Sequence, residues 1–294
     1  MLHKKRYILF CKNRTDVPIF MQPFWLDAVA ENWDVCLMET ASVHSASPDI
    51  IAALPFCWKG NFLTKRIYLP FLSFYQSPIF FHSFDVKEQQ KILDTLSKQL
   101  PKTIKSYFKF LPEYNAIQLK KSTYKKYETY MLHPNDAITL TNNHKRNVQK
   151  GIKSGYHIEI SKDIDASFEL INATFIRKKM TTKIDLDTFR TINKVVKKQH
   201  AGNTYNCYDS NHHLLATAFV VHDTTYAYYL LSGYDTKNSN SGAMTYLLHE
   251  LIQLHQKESR TFNFCGSTQK TIAHFFEGFG AKKQAISIWE NSIF

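Results

Sequence analysis

The order of strands and helices predicted for the second half of the chain is the strongest constraint on its fold. From residue 156 onwards, hydrophobic periodicity predicts one strand, two amphipathic helices, three strands, and then a helix, a strand, a helix and a last strand. The first of these helices carries a regular apolar face, at Ile164, Phe168, Ile171 and Phe175. Short turns rich in Asp and Asn join the three central strands. The pattern predicts an α/β (α+β) lobe, with helices flanking a mixed, mostly antiparallel sheet.

The first half of the chain predicts a similar alternation of strands and helices. Helices are predicted to begin at Pro23 and Glu88, and strands are predicted at Tyr7–Cys11, Val35–Thr40, Ile50–Trp58, Phe62–Leu69, Ile104–Phe110 and Tyr124–Leu132. A chain of 294 residues is long enough for about two domains. We therefore predict a degenerate lobe in residues 1–135 and a better-preserved lobe of the same kind in residues 136–294.

A surplus of positive charge points to anionic partners. The chain has 37 Lys and Arg against 25 Asp and Glu, which gives a formal net charge of +12. Such a surplus favours phosphates, nucleic acid or anionic lipid as partners, although it does not bear on the fold. The five cysteines are scattered without a Cys-x-x-Cys pair, and the histidines show no metal-binding spacing. The sequence therefore predicts no metal site and carries no signal for an oligomeric state.

The scattered cysteines favour a reduced cytoplasm, and the distribution of apolar residues predicts no transmembrane segment. The basic start of the chain is followed by too short an apolar run for a signal peptide. Residues 67–84 lack charged residues but contain Pro70 and Pro78, which argue against a spanning helix. We interpret this stretch as buried strands joined by proline turns. The alternative is an aromatic wall for an acyl chain or for peripheral contact with a membrane.

A basic helix is predicted over residues 141–155. Arg146, Lys150 and Lys153 fall on one helical face, and Lys145 adds a further cation. This face has two interpretations, of which the ordinary one is a solvated helix surface. The other is a surface that binds the phosphates of an acceptor, a lipid headgroup or tRNA, because Lys and Arg bind phosphate well.

Several local motifs resemble those of Fem-type acyltransferases, which are bacterial proteins of the GNAT acyltransferase fold. The segments that carry the resemblance run from Asn143 to the end of the chain: HKRNVQKGIKSG at 144–155, YYLLSGYD at 228–235, SGA at 241–243, FNFCGS at 262–267 and FFEGFGA at 275–281. The resemblance implies a two-lobed fold. It also implies a sheet whose strands at residues 226–232 and 261–264 diverge, leaving a gap that faces a helix N-terminus.

The resemblance also implies an acyl donor, either acyl-CoA or aminoacyl-tRNA. The donor-binding residues it implies are Ser232, Lys237, Ser241, Gly242 and Ala243. The coenzyme A loop of ordinary GNAT enzymes begins with Arg or Gln and has a glycine three residues later. Here Lys237 and Asn240 occupy those two positions. Fem-type proteins that use aminoacyl-tRNA also lack this loop, so the departure is compatible with transfer chemistry.

The candidate catalytic residues are Asp235, Tyr229 and Asn263, all expected near the gap. Asp235 could deprotonate an amine or could simply close a turn after Gly233. Only one of Tyr228 and Tyr229 can face the gap, because side chains alternate along a strand. Asn263 stands where relatives often have a carboxylate, which raises the alternative of an altered or inactive protein.

The candidate acceptor-binding residues are Lys145, Arg146, Lys150 and Ser267, the last of which could instead cap a helix. Together these features predict an N-acyltransferase that moves an acyl or aminoacyl group onto an amine of an anionic acceptor, of a cell-envelope or sugar type. The first alternative is an acetyl-CoA-dependent N-acetyltransferase that acts on a small molecule. The second is a non-catalytic polyanion-binding protein on the same scaffold.

Overall fold

The structure is a computed structural model that describes residues 2–40, 49–238, 241–266 and 269–292. The chain divides into two compact units. The first comprises Met1–Tyr127 and Ala285–Phe294, and the second comprises Glu128–Gln284. This division differs from the predicted ranges 1–135 and 136–294 in two places: the first stretch ends at Tyr127, and the end of the chain belongs to the first unit. Residues 288–292 pair with 105–109, so the last strand runs into the first unit.

Within the described residues, the first unit contains three α-helices, two short 3-10 helices and a sheet. In chain order its elements are α1 (Leu2–Cys11), α2 (Pro23–Val29), β1 (Asn32–Thr40), β2 (Asp49–Lys59), β3 (Arg66–Tyr68), β4 (Ile79–Phe80), α3 (Val86–Ser97) and β5 (Lys105–Lys109). The strand order is β1-β2-β3-β5, followed by the end of the last strand, and β4 pairs with β2. β1, β2 and β3 pair antiparallel, whereas β3 and β5 are parallel.

The prediction of a strand over Tyr7–Cys11 is wrong, because this segment forms the second half of α1. Tyr7 and Cys11 are both buried and lie one helical turn apart, while Leu9 between them is 71% exposed. The Tyr7 hydroxyl donates a hydrogen bond to the carbonyl oxygen of Met21, at 3.0 Å. A five-residue apolar run fits a strand and a half-buried helix equally well, and the packing decides between them.

Residues 67–84 form a largely buried segment with two short strands, β3 and β4. Ile67, Leu72 and Tyr75 are each less than 4% exposed. The indole Nε1 of Trp25 donates to the Ser73 hydroxyl at 2.9 Å, which fixes the turn after Pro70. The stretch is largely buried, as interpreted from the sequence, but most of it between β3 and β4 is not strand. Within the described ranges, no helix is long and apolar enough to cross a membrane.

The second unit contains the predicted element order. Its elements are β6 (Thr123–Leu132, shared with the first unit), α4 (Asn142–Lys153), β7 (His157–Ile160), α5 (Ile164–Arg177), α6 (Leu186–Lys198), β8 (Gly202–Tyr208), β9 (Leu214–His222), β10 (Tyr226–Tyr234), α7 (Ala243–Lys257), β11 (Thr261–Asn263), α8 (Lys270–Glu277) and β12 (Lys282–Ser292, shared likewise). The strand order is β6-β11-β10-β9-β8-β7. These pairs are antiparallel except β10 with β11. The predicted mixed, mostly antiparallel α/β class is confirmed.

The core of the second unit lies where α7 and α8 pack on the sheet. Leu247, Leu248 and Leu251 of α7 are buried together with Phe262 and Phe264. Burying a large apolar side chain of this kind stabilises a fold by about 1.5–3 kcal/mol. α7 is therefore fixed firmly against the strands whose ends form the site.

Gly233 allows α5 to lie directly on β10. A Cβ atom built at this position would come within 2.2 Å of the carbonyl carbon and oxygen of Leu170, in the middle of α5. No other residue type fits without moving the helix, because the obstacle is backbone. The last turn of α5 is thereby held beside the end of β10.

We predict that Gly233→Ala lowers the free energy of unfolding by about 3 kcal/mol, since overpacking against a rigid backbone strains the fold. Urea unfolding followed by circular dichroism measures the change. The matched control is Gly155→Ala, whose Cβ would meet nothing nearer than 3.9 Å but which has a φ of +66°. That control should cost only about 1 kcal/mol. Equal losses in the two variants would contradict the close packing of α5 on β10.

Candidate functional site

Two neighbouring strands of the second unit are paired over three residues and then separate. β10 and β11 are paired from Tyr226 with Thr261 to Tyr228 with Asn263. β10 then continues for six more residues without β11 beside it. The unpaired edge of β10 offers backbone donors and acceptors to an extended ligand. The divergence implied by the family resemblance is thus present in the structure.

β11 leaves β10 because its chain stays with the strand on its other side. The amide of Phe264 donates to the carbonyl oxygen of Tyr130 in β6, at 3.0 Å. Cys265 and Gly266 then take positive φ values of +57° and +71°. Two successive left-handed residues turn the chain sharply. The strand therefore ends at the mouth of the gap.

A bulge in β10 lies immediately beyond the paired region. Tyr229 pairs with Val220 of β9 and Leu231 pairs with Phe219, so Leu230 is an extra residue. A bulge interrupts the alternation of side chains along a strand. As a result Tyr229 and Ser232, three positions apart, both line the gap.

The gap opens into a cleft of about 710 Å³, within the range of small-molecule sites. Its polar lining is contributed mainly by four elements: α4, the end of α5, β10 and the start of α7. Its apolar lining includes Phe264 and Phe276, whose rings stack with centroids 4.6 Å apart. The described polar lining residues are Asn143, Asn147, Thr174, Arg177, Lys178, Tyr229, Ser232, Tyr234, Ser241, Thr245, Cys265 and Thr271.

The N-terminus of α7 lies at the cleft, capped by a left-handed glycine. Gly242 has a φ of +72°, and a Cβ atom there would come within 2.8 Å of the Asn147 side chain. The Ser241 hydroxyl accepts a hydrogen bond from the Ala243 amide at 3.2 Å. The first amides of a helix lack acceptors within the helix and carry its positive partial charge. This end of the cleft therefore favours an anionic group.

Two cations stand on the opposite wall, at the end of α5. The Arg177 guanidinium lies over the Tyr234 ring, with 4.4 Å between its Cζ atom and the ring centroid. Partial burial of the Lys178 ammonium, together with the adjacent Arg177, lowers the pKa of Lys178. Among the lining residues that the structure describes there is no carboxylate. A bound anion would offset the repulsion between these two cations.

Tyr229 places a protonated phenol inside the cleft. Burial of its hydroxyl raises the pKa of Tyr229 to about 12, with a smaller opposing effect from a hydrogen bond to Ser232. The hydroxyl also lies 3.6 Å from the Met244 sulfur, in the first turn of α7. The ring packs edge-on against Phe264 and Phe276. The phenol is therefore a proton donor throughout the neutral pH range.

The structure brings five of the sequence-predicted residues together at this cleft: Tyr229, Ser232, Ser241, Gly242 and Ala243. The choice between the two adjacent tyrosines is also settled, because Tyr228 is fully buried and only Tyr229 lines the cleft. Cys265 is partly exposed and also lines the cleft.

Asp235 and Lys237 lie outside the cleft lining, in the turn after β10. The Asp235 carboxylate accepts hydrogen bonds from the Lys237 amide at 3.0 Å and from the Asn238 side chain at 2.8 Å. The structure therefore favours the interpretation of Asp235 as a turn residue. No contact in the described residues gives Lys237 a role at the donor end.

Asn263 is fully buried, which does not fit its predicted place among the catalytic residues. Its side-chain oxygen accepts hydrogen bonds from the Thr129 hydroxyl at 2.7 Å and from the Cys265 amide at 2.9 Å. These bonds hold the turn that carries β11 away from β10. Asn263 is therefore a buried structural amide whose oxygen is engaged by two neighbouring donors.

The basic residues Lys145, Arg146 and Lys150 lie on the exposed face of α4, beside the cleft lining but not part of it. α4 instead contributes Asn143 and Asn147 to the cleft. A phosphate-binding role for the basic face stays a prediction. Ser267 and Asn240 lie outside the described residues.

Sequence reasoning missed three groups at the cleft: the two asparagines of α4, Thr174 with Arg177 and Lys178 at the end of α5, and Thr271 of α8. Arg177 and Lys178 entered the sequence analysis only through the net positive charge of the chain. The signal that could have placed them is Gly233, the only glycine in the strand that precedes the gap. A glycine in the interior of a strand often marks the close approach of another backbone.

Comparison with known proteins supports the fold. No family model and no curated protein matches the sequence. The solved structure of FemX is similar over 97% of this chain and 95% of its own, with 10% sequence identity and a TM-score of 0.70. A conserved protein of unknown function from Bacteroides thetaiotaomicron is similar over 98% and 96%, with 10% identity and a TM-score of 0.58. L-PGS from Bacillus licheniformis is similar over 83% and 82%, with 10% identity and a TM-score of 0.54.

At this level of identity the likeness concerns the fold, and it extends over nearly the whole chain in the case of FemX. The mixed sheet, the diverging strands and the helix N-terminus at the gap agree with what the sequence motifs imply. The chain therefore has a Fem-type, GNAT-like fold.

Proposed function

We propose that this protein transfers an aminoacyl group from an ester-linked, phosphate-bearing donor to the amine of an anionic acceptor. The proposal rests on the combination of groups that line one cleft. The cleft combines the N-terminus of α7, two cations and a protonated phenol, with no carboxylate among its described lining residues. Acyl transfer needs a bound donor, a stabilised oxyanion and a proton for the leaving group.

The two ends of the cleft fit two parts of such a donor. Phosphate groups would lie at the first amides of α7 and the Ser241 hydroxyl, facing Arg177 and Lys178. The acyl part would extend along the unpaired edge of β10, where backbone groups are open to hydrogen bonding. The acyl carbonyl would then lie near Ser232, whose hydroxyl can stabilise the developing oxyanion, and the ester oxygen would lie near Tyr229.

The reaction would proceed by direct attack in a ternary complex. The amine nitrogen forms a bond to the acyl carbon, and the ester C–O bond breaks. The proton lost by the amine passes to water, since the described cleft residues include no carboxylate to accept it. The Tyr229 hydroxyl gives its proton to the departing oxygen and is reprotonated by solvent.

The acidity of Tyr229 favours an ester donor over a thioester. A general acid matters most when the leaving group is a strong base. Burial keeps the Tyr229 phenol protonated, so it can protonate the alkoxide that leaves an ester. A thiolate is a weaker base, since a thiol has a pKa of about 8.5, and it can leave without a proton donor. This supports aminoacyl-tRNA rather than acyl-CoA as the donor.

The Fem-type resemblance and the charge distribution support the same choice. Fem-type proteins include enzymes that take their acyl group from aminoacyl-tRNA. The exposed cations Lys145, Arg146 and Lys150 lie on α4, the helix that also supplies Asn143 and Asn147 to the cleft. A polyanion on this face would be held beside the cleft, consistent with tRNA or with a negatively charged acceptor.

We predict that Ser241→Glu weakens binding of aminoacylated tRNA at least tenfold, because a carboxylate at the start of α7 repels the donor's phosphates. Titration calorimetry with a pool of aminoacylated tRNA measures the effect, and coenzyme A is titrated in parallel. Ser241 is only partly exposed but lines the cleft.

The matched control is Ser210→Glu, which adds the same charge in an exposed turn between β8 and β9. The control should bind as the unaltered protein does. Tight coenzyme A binding that Ser241→Glu abolishes would instead indicate the acetyl-CoA-dependent alternative. Unchanged binding of both ligands by Ser241→Glu would contradict the donor site proposed at α7.

We predict that Tyr229→Phe lowers kcat about a hundredfold with aminoacyl-tRNA and leaves KM nearly unchanged, since a general acid contributes to the transition state. O-Phosphoethanolamine serves as a minimal anionic amine in the assay. Because the Tyr229 pKa is about 12, the unaltered enzyme should show no loss of rate between about pH 6 and pH 9 from ionisation of this group. The rate should rise over that range as the amine loses its proton.

Tyr124→Phe is the control, since Tyr124 is exposed and belongs to the first unit. If Tyr229 had only a structural role, Tyr229→Phe would reduce transfer from esters and from thioesters by similar factors. If Tyr229 is the general acid, Tyr229→Phe should reduce transfer from the ester far more strongly than transfer from a thioester. Binding of tRNA by the unaltered protein without any turnover would favour the non-catalytic alternative.

A further inference from the structure

Two large apolar side chains are exposed to solvent at the tip of the β2–β3 hairpin, in the first unit. Phe62 is 94% exposed and Leu63 is 76% exposed, the two highest values among the described large hydrophobic residues. Scattered single apolar residues on a surface need no explanation. Two adjacent ones at a loop tip are different, because both lie at the point most open to a partner.

The turn that carries them is held by its own hydrogen bonds. The side-chain oxygen of Asn61 accepts from the Leu63 amide, the Thr64 amide and the Thr64 hydroxyl, each at 3.0 Å. The Asn61 amide donates to the Thr64 hydroxyl at 3.1 Å. Such an Asx-type arrangement fixes the backbone. The two apolar side chains are thus presented outward by an ordered turn and not by a loose loop.

Cations flank the tip on both strands, and acidic residues are missing from the surrounding sequence. Lys59 ends β2 and pairs with Arg66 at the start of β3, and Lys65 precedes Arg66. The Lys59 and Lys65 ammonium groups lie over the rings of Tyr68 and Trp58, 4.7 and 4.4 Å from their centroids. Residues 50–84 contain these three cations and no Asp or Glu.

We propose that the β2–β3 hairpin tip inserts into the surface of an anionic lipid bilayer. Phe62 and Leu63 would enter the boundary between headgroups and acyl chains. Lys59, Lys65 and Arg66 would remain at the level of the phosphates. Apolar residues bounded by cations are complementary to such a surface in both polarity and charge.

The small apolar area exposed at the hairpin tip favours a lipid bilayer over a protein as the partner. A stable protein–protein interface covers about 800 Å² on each partner, and two side chains supply only a fraction of that. A bilayer needs no complementary shape, because the gain comes from removing the apolar side chains from water. The inference is independent of the proposed transfer activity, since it uses none of the cleft residues.

The test is sedimentation of the full chain with vesicles of phosphatidylcholine, with and without phosphatidylglycerol. Vesicles containing phosphatidylglycerol should bind the protein, and added salt should release it. The double variant Phe62→Ser with Leu63→Ser should weaken binding at least tenfold through lost apolar transfer. Each of Lys65→Gln and Arg66→Gln should weaken it about fivefold.

The matched control replaces Val86 and Ile160 by serine, two residues that are 51% and 46% exposed elsewhere on the surface. This control should bind vesicles as the unaltered protein does. A Phe62→Trp variant adds a direct readout, because its emission should shift to the blue and be quenched by brominated lipid. Thermal unfolding midpoints establish that all variants are folded.

Three results would overturn the proposal. They are binding of the Phe62 and Leu63 double variant equal to that of the unaltered protein, no binding of the unaltered protein to either vesicle, and no quenching of Phe62→Trp. A change in oligomeric state on removing the two side chains, without an effect on vesicles, would identify a protein partner instead. Donor binding at the α7 cleft should be the same in every hairpin variant, so this test and the tests of the transfer activity fail separately.

Discussion

The site depends on one backbone hydrogen bond, which joins the end of β11 to β6 and not to β10. After Asn263 the chain could continue beside β10, but the Phe264 amide bonds to Tyr130 of β6. The buried Asn263 side chain reinforces this choice by accepting from Thr129, in β6, and from the Cys265 amide. β10 is left with an open edge inside a well-packed unit. Open edges are usually covered, and here the edge forms one wall of a cleft.

The electrostatics of the cleft follow from what lines it. The helix N-terminus and the two cations all favour negative charge, and the described lining contributes no carboxylate to compete with a bound anion. The same enclosure that suits an acyl group keeps the Tyr229 phenol protonated. The two properties have separate causes. Burial keeps the phenol protonated, whereas the helix N-terminus and the two cations favour a bound anion.

Much of the second unit could be predicted from the sequence, because its apolar periodicities are long and regular. The order of its elements, predicted from those periodicities, agrees with the structure. The diverging strands and the helix start at Ser241–Ala243, which the Fem-type resemblance implies, are also present. The strand predicted at Tyr7–Cys11 was wrong, since a short apolar run does not distinguish a strand from a half-buried helix. Local signals settle long elements, whereas short ones depend on what they pack against.

The site was predicted less completely than the fold, for two physical reasons. Arg177 and Lys178 reach the cleft because α5 lies on Gly233, a tertiary contact that periodicity does not encode. Asp235 looked like a base because it follows the right strand, yet its oxygens are engaged by the turn. Ser232 and Tyr229 were both identified, but the reason they can act together is a bulge that the sequence does not reveal.

That bulge decides which side chains of β10 share a face of the sheet. Regular alternation sends residues three apart to opposite faces, and the extra residue at Leu230 brings Tyr229 and Ser232 to the same face. Deleting Leu230 would remove the bulge and leave the two residues two positions apart, still on one face. Pairing Leu230 with β9 as an ordinary ladder residue would instead turn Ser232 away from the phenol. A shift of register alone, with no change in the residues of the strand, would therefore separate the two hydroxyls.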